Sequence, residues 1–319
     1  MKTLTLTISI LIFMSCVSSA SSKDNMKSYP FSFEELLSAE KVSTPSLQYI
    51  EASDNTKLAY REYVPKQITA VLLFYHGGGA HSVAASGYEH IGNGLSNRFN
   101  IAVFTPDIRG HGDSGGEKGD APSTEQVFDD VGVFIRYIRM KYPGKALFLG
   151  GHSSGAGLIL NYSNIKTREK VQGYLFLSPQ LGFRSKTETE NNPNPFSTVK
   201  TDLFIENAMH GTHGNSKAVF FNYPKEILKK DSKLITAITV NMANAITPTS
   251  PAKQLQDLNL PLAVWIGKED EVLDAVKVTS FVKENNPKSF TKIVEREKHL
   301  SILLTASNHI GSWIHDIVQ

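Results

Sequence analysis

Two serines of the chain sit in the pattern Gly-x-Ser-x-Gly: Gly112-Asp113-Ser114-Gly115-Gly116 and Gly151-His152-Ser153-Ser154-Gly155. Serine between two glycines suits nucleophilic catalysis, because a hydroxyl raised on a tight turn is open both to a substrate carbonyl and to a general base. That chemistry also needs a histidine to take the proton and a carboxylate to orient the histidine. Three histidines lie beyond residue 213, namely His299, His309 and His315, and four acids, Glu269, Asp270, Glu271 and Asp274, follow the apolar run at residues 262–266. A negative charge developing on the carbonyl oxygen needs donors, and the run His76-Gly77-Gly78-Gly79 lets backbone N–H groups turn toward it.

Context separates the candidates. Ser114 follows the turn Arg109-Gly110-His111 rather than a strand, and it reads as a tight loop. Its GDSGG spelling resembles the nucleophile segment of chymotrypsin-like proteases, but those are all-β and place their histidine and aspartate before the serine. Ser153 instead stands where a buried strand runs into Gly151 and a helix begins at about Ser154, the strand-turn-helix context that raises a hydroxyl above a sheet. The alternative role is a helix N-cap, for which Ser154 would serve equally well. His299 lies just after the strand at residues 290–294 and at the head of the last helix, whereas His309 and His315 fall inside that helix. Asp270 is the preferred acid: Asp274 sits where it would begin a helix, and Glu269 and Glu271 flank. The order Ser153, Asp270, His299 is that of an α/β-hydrolase, with the amides of Gly78 and Ser154 as the oxyanion hole.

The elements that must position these groups follow from periodicity. Residues 47–52 and 58–63, joined by Ser53-Asp54-Asn55, read as a hairpin. Unbroken apolar runs at 70–75, 101–104 and 146–149 suit strands buried on both faces, as in a parallel sheet. Val127, Val131, Phe134, Ile135 and Ile138 recur at helical spacing behind a capping box of Ser123 and Gln126, until Pro143-Gly144 stops the helix. Further strands are expected at 173–177, 262–266 and 290–294. The alternation predicts an α/β fold with a mostly parallel central sheet, helices on both faces and one domain over 47–319. Residues 182–250 break the rhythm and are too many for an unstructured loop, so an inserted helical cap is expected there.

The composition, 40% hydrophobic and 20% charged over 319 residues, is that of a globular protein with a large core. A net charge of +2 with no basic cluster gives no reason to expect a nucleic-acid partner. Residues 1–20 read as a secretory signal: Lys2 is the only charge, an apolar stretch runs over residues 4–14, and Ser18-Ser19-Ala20 offers small residues for cleavage. Phe13-Met14-Ser15-Cys16 is a loose lipobox, so lipidation of Cys16 and membrane anchoring is the alternative to plain cleavage. Residues 21–46 read as a polar N-terminal extension. With one cysteine the chain has no internal disulfide.

In combination, FYHGGGAHS at 74–82, FTPDIRGHGDSGG at 104–116, GGHSSGAG at 150–157, FLSPQ at 176–180, WIGKEDEVLD at 265–274 and KHLSIL at 298–303 resemble the monoacylglycerol lipase and lysophospholipase branch of the α/β-hydrolases. The resemblance implies a serine esterase with Ser153, Asp270 and His299 as its triad, Gly78 and Ser154 as its oxyanion hole, no metal or cofactor, and a cap shaping an acyl channel. The chain departs from the family pattern at Ala80, where a glutamate is frequent, and at Ala156, where a second glycine is frequent. The expected substrate is a monoacylglycerol, lysophospholipid or similar single-chain ester. A peptidase or aminopeptidase with the same triad is the alternative within enzymes, and a non-catalytic lipid or small-ligand binding protein is the alternative outside them.

Overall fold

The computed structural model describes residues 31–84, 87–166, 168–190 and 195–319. The segment read as an export signal, and Cys16 within it, lie outside the described residues.

Eight strands form the central sheet: β1 (Gln48–Glu51), β2 (Lys57–Tyr63), β3 (Ala70–Tyr75), β4 (Ile101–Pro106), β5 (Ala146–His152), β6 (Gly173–Leu177), and two late strands, Leu262–Gly267 and Phe290–Val294. The late pair are β10 and β11, because three strands of the cap precede them in the chain. The spatial order is β1-β2-β4-β3-β5-β6-β10-β11, antiparallel at β1–β2 and β2–β4 and parallel from β4 onward. The parallel strands are apolar throughout because helices cover both faces. In β3, Val71, Leu73 and Tyr75 enter one core cluster, while Ala70, Leu72 and Phe74 enter the other.

Helix α1 (Glu34–Ser38) precedes the sheet, and α2 (Gly87–Phe99) follows β3. Helix α2 carries little periodic signal because glycines interrupt it, and packing accounts for two of them. A Cβ on Gly92 would stand 2.4 Å from the Tyr63 ring, and one on Gly94 would stand 2.3 Å from Ser307 Oγ. Helix α3 (Thr124–Lys141) begins where expected, with Ser123 Oγ accepting the Gln126 N–H at 3.2 Å. The reciprocal half of the capping box does not form, since the Gln126 amide reaches Ser53 and Asp130 instead. Helix α4 (Ser154–Ser163) follows β5 directly.

The insertion differs from an all-helical cap. It holds α5 (Thr201–His210), α6 (Lys225–Lys230) and α7 (Val240–Ile246), and between them an antiparallel sheet of β7 (Ser197–Val199), β8 (Lys217–Phe221) and β9 (Ala237–Thr239) in that order. Strands of three to five residues are too short for alternation to register in sequence. The cap is clipped to the sheet's loops by backbone bonds: Ile235 N–H donates to Gly79 O at 2.8 Å, and Thr239 N–H donates to Gly119 O at 2.9 Å. Helices α8 (Pro251–Gln256), α9 (Ala275–Asn285) and α10 (Ile302–Val318) complete the chain, with Asp274 capping α9 through the Val276 and Lys277 N–H groups.

Candidate active site

The chain runs from β3 to β4 on one side and then back past β3 to β5, so the carboxyl ends of β3 and β5 lie side by side at the point where the winding reverses. A crevice opens at such a reversal, because the connections that follow the two strands leave in opposite directions. The loop after β3 carries Gly77 and Gly78, and the turn after β5 carries Ser153.

Ser153 holds φ 53° and ψ −120°, a backbone conformation that non-glycine residues seldom adopt. The turn is possible only because its neighbours lack side chains: a Cβ on Gly151 would lie 2.3 Å from the Gly155 carbonyl carbon, and one on Gly155 would lie 2.4 Å from Tyr75 O. The Ser153 N–H donates to Leu177 O at 3.0 Å, which ties the turn to β6.

Ser153 Oγ lies 3.2 Å from His299 Nε2, and His299 Nδ1 lies 2.9 and 3.1 Å from the two Asp270 oxygens. The sequence-selected serine, acid and histidine thus meet in one hydrogen-bonded line. With the imidazole proton on Nδ1 donated to Asp270, Nε2 is free to accept the serine proton. Burial raises the Asp270 carboxyl, but the His299 charge and hydrogen bond, with a further bond from the Leu273 N–H, outweigh it and hold the group below its ordinary range. Burial likewise pulls His299 down, and Asp270 overrides it, so His299 stands above the usual 6.5. The histidines considered against it, His309 and His315, lie within α10 away from this line. Asp274 serves as a helix cap.

Among the described residues neither the Gly78 N–H nor the Ser154 N–H donates to a protein acceptor. Ser154 is the first residue of α4, where N–H groups have no intrahelical partner and the helix dipole favours negative charge. The two loops approach closely, since a Cβ on Gly78 would stand 3.0 Å from Ser154 Oγ.

Several groups carry no signal in the sequence reading. The Gly77 N–H donates to the Tyr88 hydroxyl at 2.8 Å, Tyr88 meets His152 Nδ1 at 3.1 Å, and His152 Nε2 meets His299 O at 2.9 Å. One tautomer of His152, protonated on Nε2, satisfies the whole chain from the glycine loop to the histidine loop. Burial, reinforced by the nearby His299, pushes His152 down to about 3, so it stays neutral. Glu271, which the sequence places only as a flanking acid, accepts the His299 N–H at 3.1 Å. His152 was visible in the motif itself, but Tyr88 stands six residues beyond the glycine-loop segment, in a helix whose periodicity its glycines obscure.

The other Gly-x-Ser-x-Gly segment is a locked turn. Ser114 Oγ donates to Asp107 O at 2.7 Å and accepts the Ala59 N–H at 2.8 Å. Among the described residues no group of three or more His, Cys, Asp or Glu side chains is arranged to hold a metal ion.

The cleft above Ser153 encloses about 700 Å³, its open mouth included, and is walled mainly by apolar residues such as Phe196, Tyr223, Ile227, Leu234 and Leu303.

The family model described as "Serine aminopeptidase, S33" matches residues 66–300. The chain belongs to this family of α/β-hydrolases. The S33 family member is 34% identical to a monoglyceride lipase homolog of Monkeypox virus over 285 residues, covering 83% of this chain and 97% of that one. It is 33% identical over 139 residues to an uncharacterized abhydrolase domain-containing protein of Dictyostelium discoideum, 43% of this chain but only 14% of that protein's length. Among solved structures, a soluble variant of monoglyceride lipase from Saccharomyces cerevisiae in complex with a substrate analog superposes with a TM-score of 0.69. At 19% identity it covers 91% of this chain and 99% of that one, which shows the shared fold. The S33 protein is a serine hydrolase, similar in sequence to monoglyceride lipases.

Proposed function

We propose that the protein hydrolyses single-chain acyl esters, such as monoacylglycerols or lysophospholipids, through an acyl-enzyme. The observation that carries this reading is an apolar cleft whose floor is the hydrogen-bonded line Ser153–His299–Asp270. Ser153 Oγ passes its proton to His299 Nε2 and attacks the ester carbonyl carbon; the N–H groups of Gly78 and Ser154 hold the resulting oxyanion. His299, its charge balanced by Asp270, returns the proton to the leaving alcohol. Water then enters, gives a proton to His299 and bonds to the acyl carbon, and His299 passes that proton to Ser153 Oγ as the ester bond breaks and the fatty acid leaves.

An aminopeptidase substrate would bring a free ammonium into the cleft. Among the described lining residues Asp231 is the sole carboxylate, and it is paired with His81 at 2.7 Å beside Lys230. This arrangement favours an uncharged acyl group. The deciding experiment is hydrolysis of p-nitrophenyl esters of rising chain length beside lysophospholipid and aminoacyl amides. Faster turnover of amides than of medium-chain esters would overturn the reading. A wild-type protein that no fluorophosphonate labels would be a binding protein instead.

We further propose that the protein is exported, on the strength of the apolar stretch and small-residue site within residues 1–20. Among the described residues no helix is long and apolar enough to cross a membrane. Wild type recovered with membranes, beside a Cys16→Ser variant recovered in the soluble fraction, would establish anchoring by lipid at Cys16. Equal partitioning would support plain cleavage.

A further inference from the structure

Residues 31–38 belong to the stretch that reads as a polar extension, yet four of them, Phe31, Phe33, Leu36 and Leu37, line the cleft over Ser153. Phe31, Phe33 and Leu36 are buried, and the docking is specific. Leu36 reaches the bare backbone of α2, where a Cβ on Gly87 would stand 3.1 Å from Leu36 Cδ2 and 2.8 Å from Leu303 Cδ1. The Phe31 ring lies 4.6 Å from that of Phe196 in the cap and 5.8 Å from the His299 imidazole. Phe33 faces Tyr223 of the cap at 6.3 Å.

Both polar anchors of this arm are chain neighbours of the proposed catalytic groups. The Ser32 N–H donates to Glu271 Oε1 at 3.0 Å, while Glu271 Oε2 accepts the His299 N–H at 3.1 Å. Glu35 pairs with Lys298. One carboxylate therefore holds the arm and the histidine loop together, and the arm occupies a defined place relative to Ser153.

We propose that this arm is the specificity-determining wall for the acyl chain of the substrate. The inference rests on the acyl-transfer reading of the same cleft. With its carbonyl at Ser153, an acetyl-sized group stays at the floor between Gly77, Gly78 and His152. A medium or long alkyl chain must leave the floor, and it runs against Phe33, Leu36 and Leu37. Each methylene so covered is withdrawn from water and contributes about fourfold to the rate of capture. The arm selects for chain length because only a chain that reaches it gains this contribution.

Methyl and octyl fluorophosphonates test this without assuming an ester or an amide substrate. Ser153 Oγ forms a bond to phosphorus, fluoride leaves, and the serine proton passes to His299. The measured quantity is the ratio of the octyl to the methyl labelling rate constant. The Phe33→Ala/Leu36→Ala double variant is expected to lower that ratio about tenfold, the equivalent of nearly two methylenes. Leu37→Ala, at a half-exposed rim position where folding is not at stake, is expected to lower it about threefold. A general loosening of the site slows both probes alike and leaves the ratio at the wild-type value; that result in both variants would overturn the proposal. Wild type unlabelled by either probe would overturn the acyl-transfer reading, and this inference with it. Labelling with arm-dependent ratios but a preference for aminoacyl amides would overturn only the ester assignment.

Discussion

Ser114 and Ser153 share the same five-residue pattern and differ in who uses the hydroxyl. Ser114 Oγ is spent on the backbone, bonded to Asp107 O and to the Ala59 N–H, so it fastens the loop after β4 to β2. Ser153 Oγ faces an imidazole nitrogen at 3.2 Å on a turn with φ 53°. A hydroxyl whose donor and acceptor roles are both taken by peptide groups has no base to take its proton. The pattern supplies a turn in both places, and the strand order decides which turn meets a histidine.

The sharpest way to break this comparison is to exchange the two losses. Ser153→Ala is expected to lower kcat by about 10⁶-fold, the scale set by triad knockouts in subtilisin, with folding intact by circular dichroism. If Ser153→Ala still takes up fluorophosphonate while Ser114→Ala does not, the roles are reversed.

Asp270→Asn comes next, with an expected loss of about 10⁴-fold in kcat as the histidine loses its oriented tautomer. It also has a pH signature. His299 stands above 6.5 because Asp270 favours its charged form, and the reaction needs it neutral. In wild type kcat/KM therefore rises with pH along a limb centred above 6.5, and in Asp270→Asn the limb moves to lower pH. A limb at the same position in both proteins would dissociate Asp270 from His299. The pair also shapes stability. His299, raised on folding, contributes fully below its unfolded value of about 6.5, and that contribution is lost as pH rises through the folded value. Asp270, lowered on folding, contributes above about 3.8, and that is lost as pH falls through its folded value.

Tyr88→Phe tests the link between the glycine loop and His152. It leaves the buried Gly77 N–H without its acceptor, at about 1–3 kcal/mol, so kcat should fall about tenfold with KM little changed. A change in KM alone would show that Tyr88 shapes the cleft rather than the oxyanion loop. The smallest effect on activity is expected from Ser114→Ala: turnover within about threefold of wild type, and a melting temperature lowered by the loss of about 1–3 kcal/mol from an unpaired Ala59 N–H. A larger loss of turnover than of stability would mean that the locked turn does more than hold the loop.

The framework of the fold was legible because buried parallel strands are written as unbroken apolar runs. Residues 70–75 and 173–177 match β3 and β6 end to end. The positions of Ser153, Asp270 and His299 were legible for a related reason: each follows a recognisable strand, and in a parallel sheet the residues after successive strands collect at one end. Helix α2 was hidden by the glycines that let Tyr63 and Ser307 approach it. The cap sheet was hidden by strands of three to five residues, whose side chains are half-covered by partners distant in sequence. Phe31, Phe33 and Leu36 were the hardest to place. With Leu37 they are four apolar residues in a short polar stretch, too short for the helical spacing of 33, 36 and 37 to stand out, and what buries the three is a cleft assembled from α2, the cap and the start of α10.

By itself the sequence determined the strands of the central sheet, helix α3 and the residue types at each strand end, because these depend on local periodicity and turn chemistry. Only the tertiary structure showed that the Ser114 hydroxyl is spent on the backbone, that His152 and Glu271 hold the histidine loop, and that a segment far from every motif walls the cleft. Those outcomes depend on groups up to 263 positions apart, as between Glu35 and Lys298, and such proximity arises only from the packing of the whole chain.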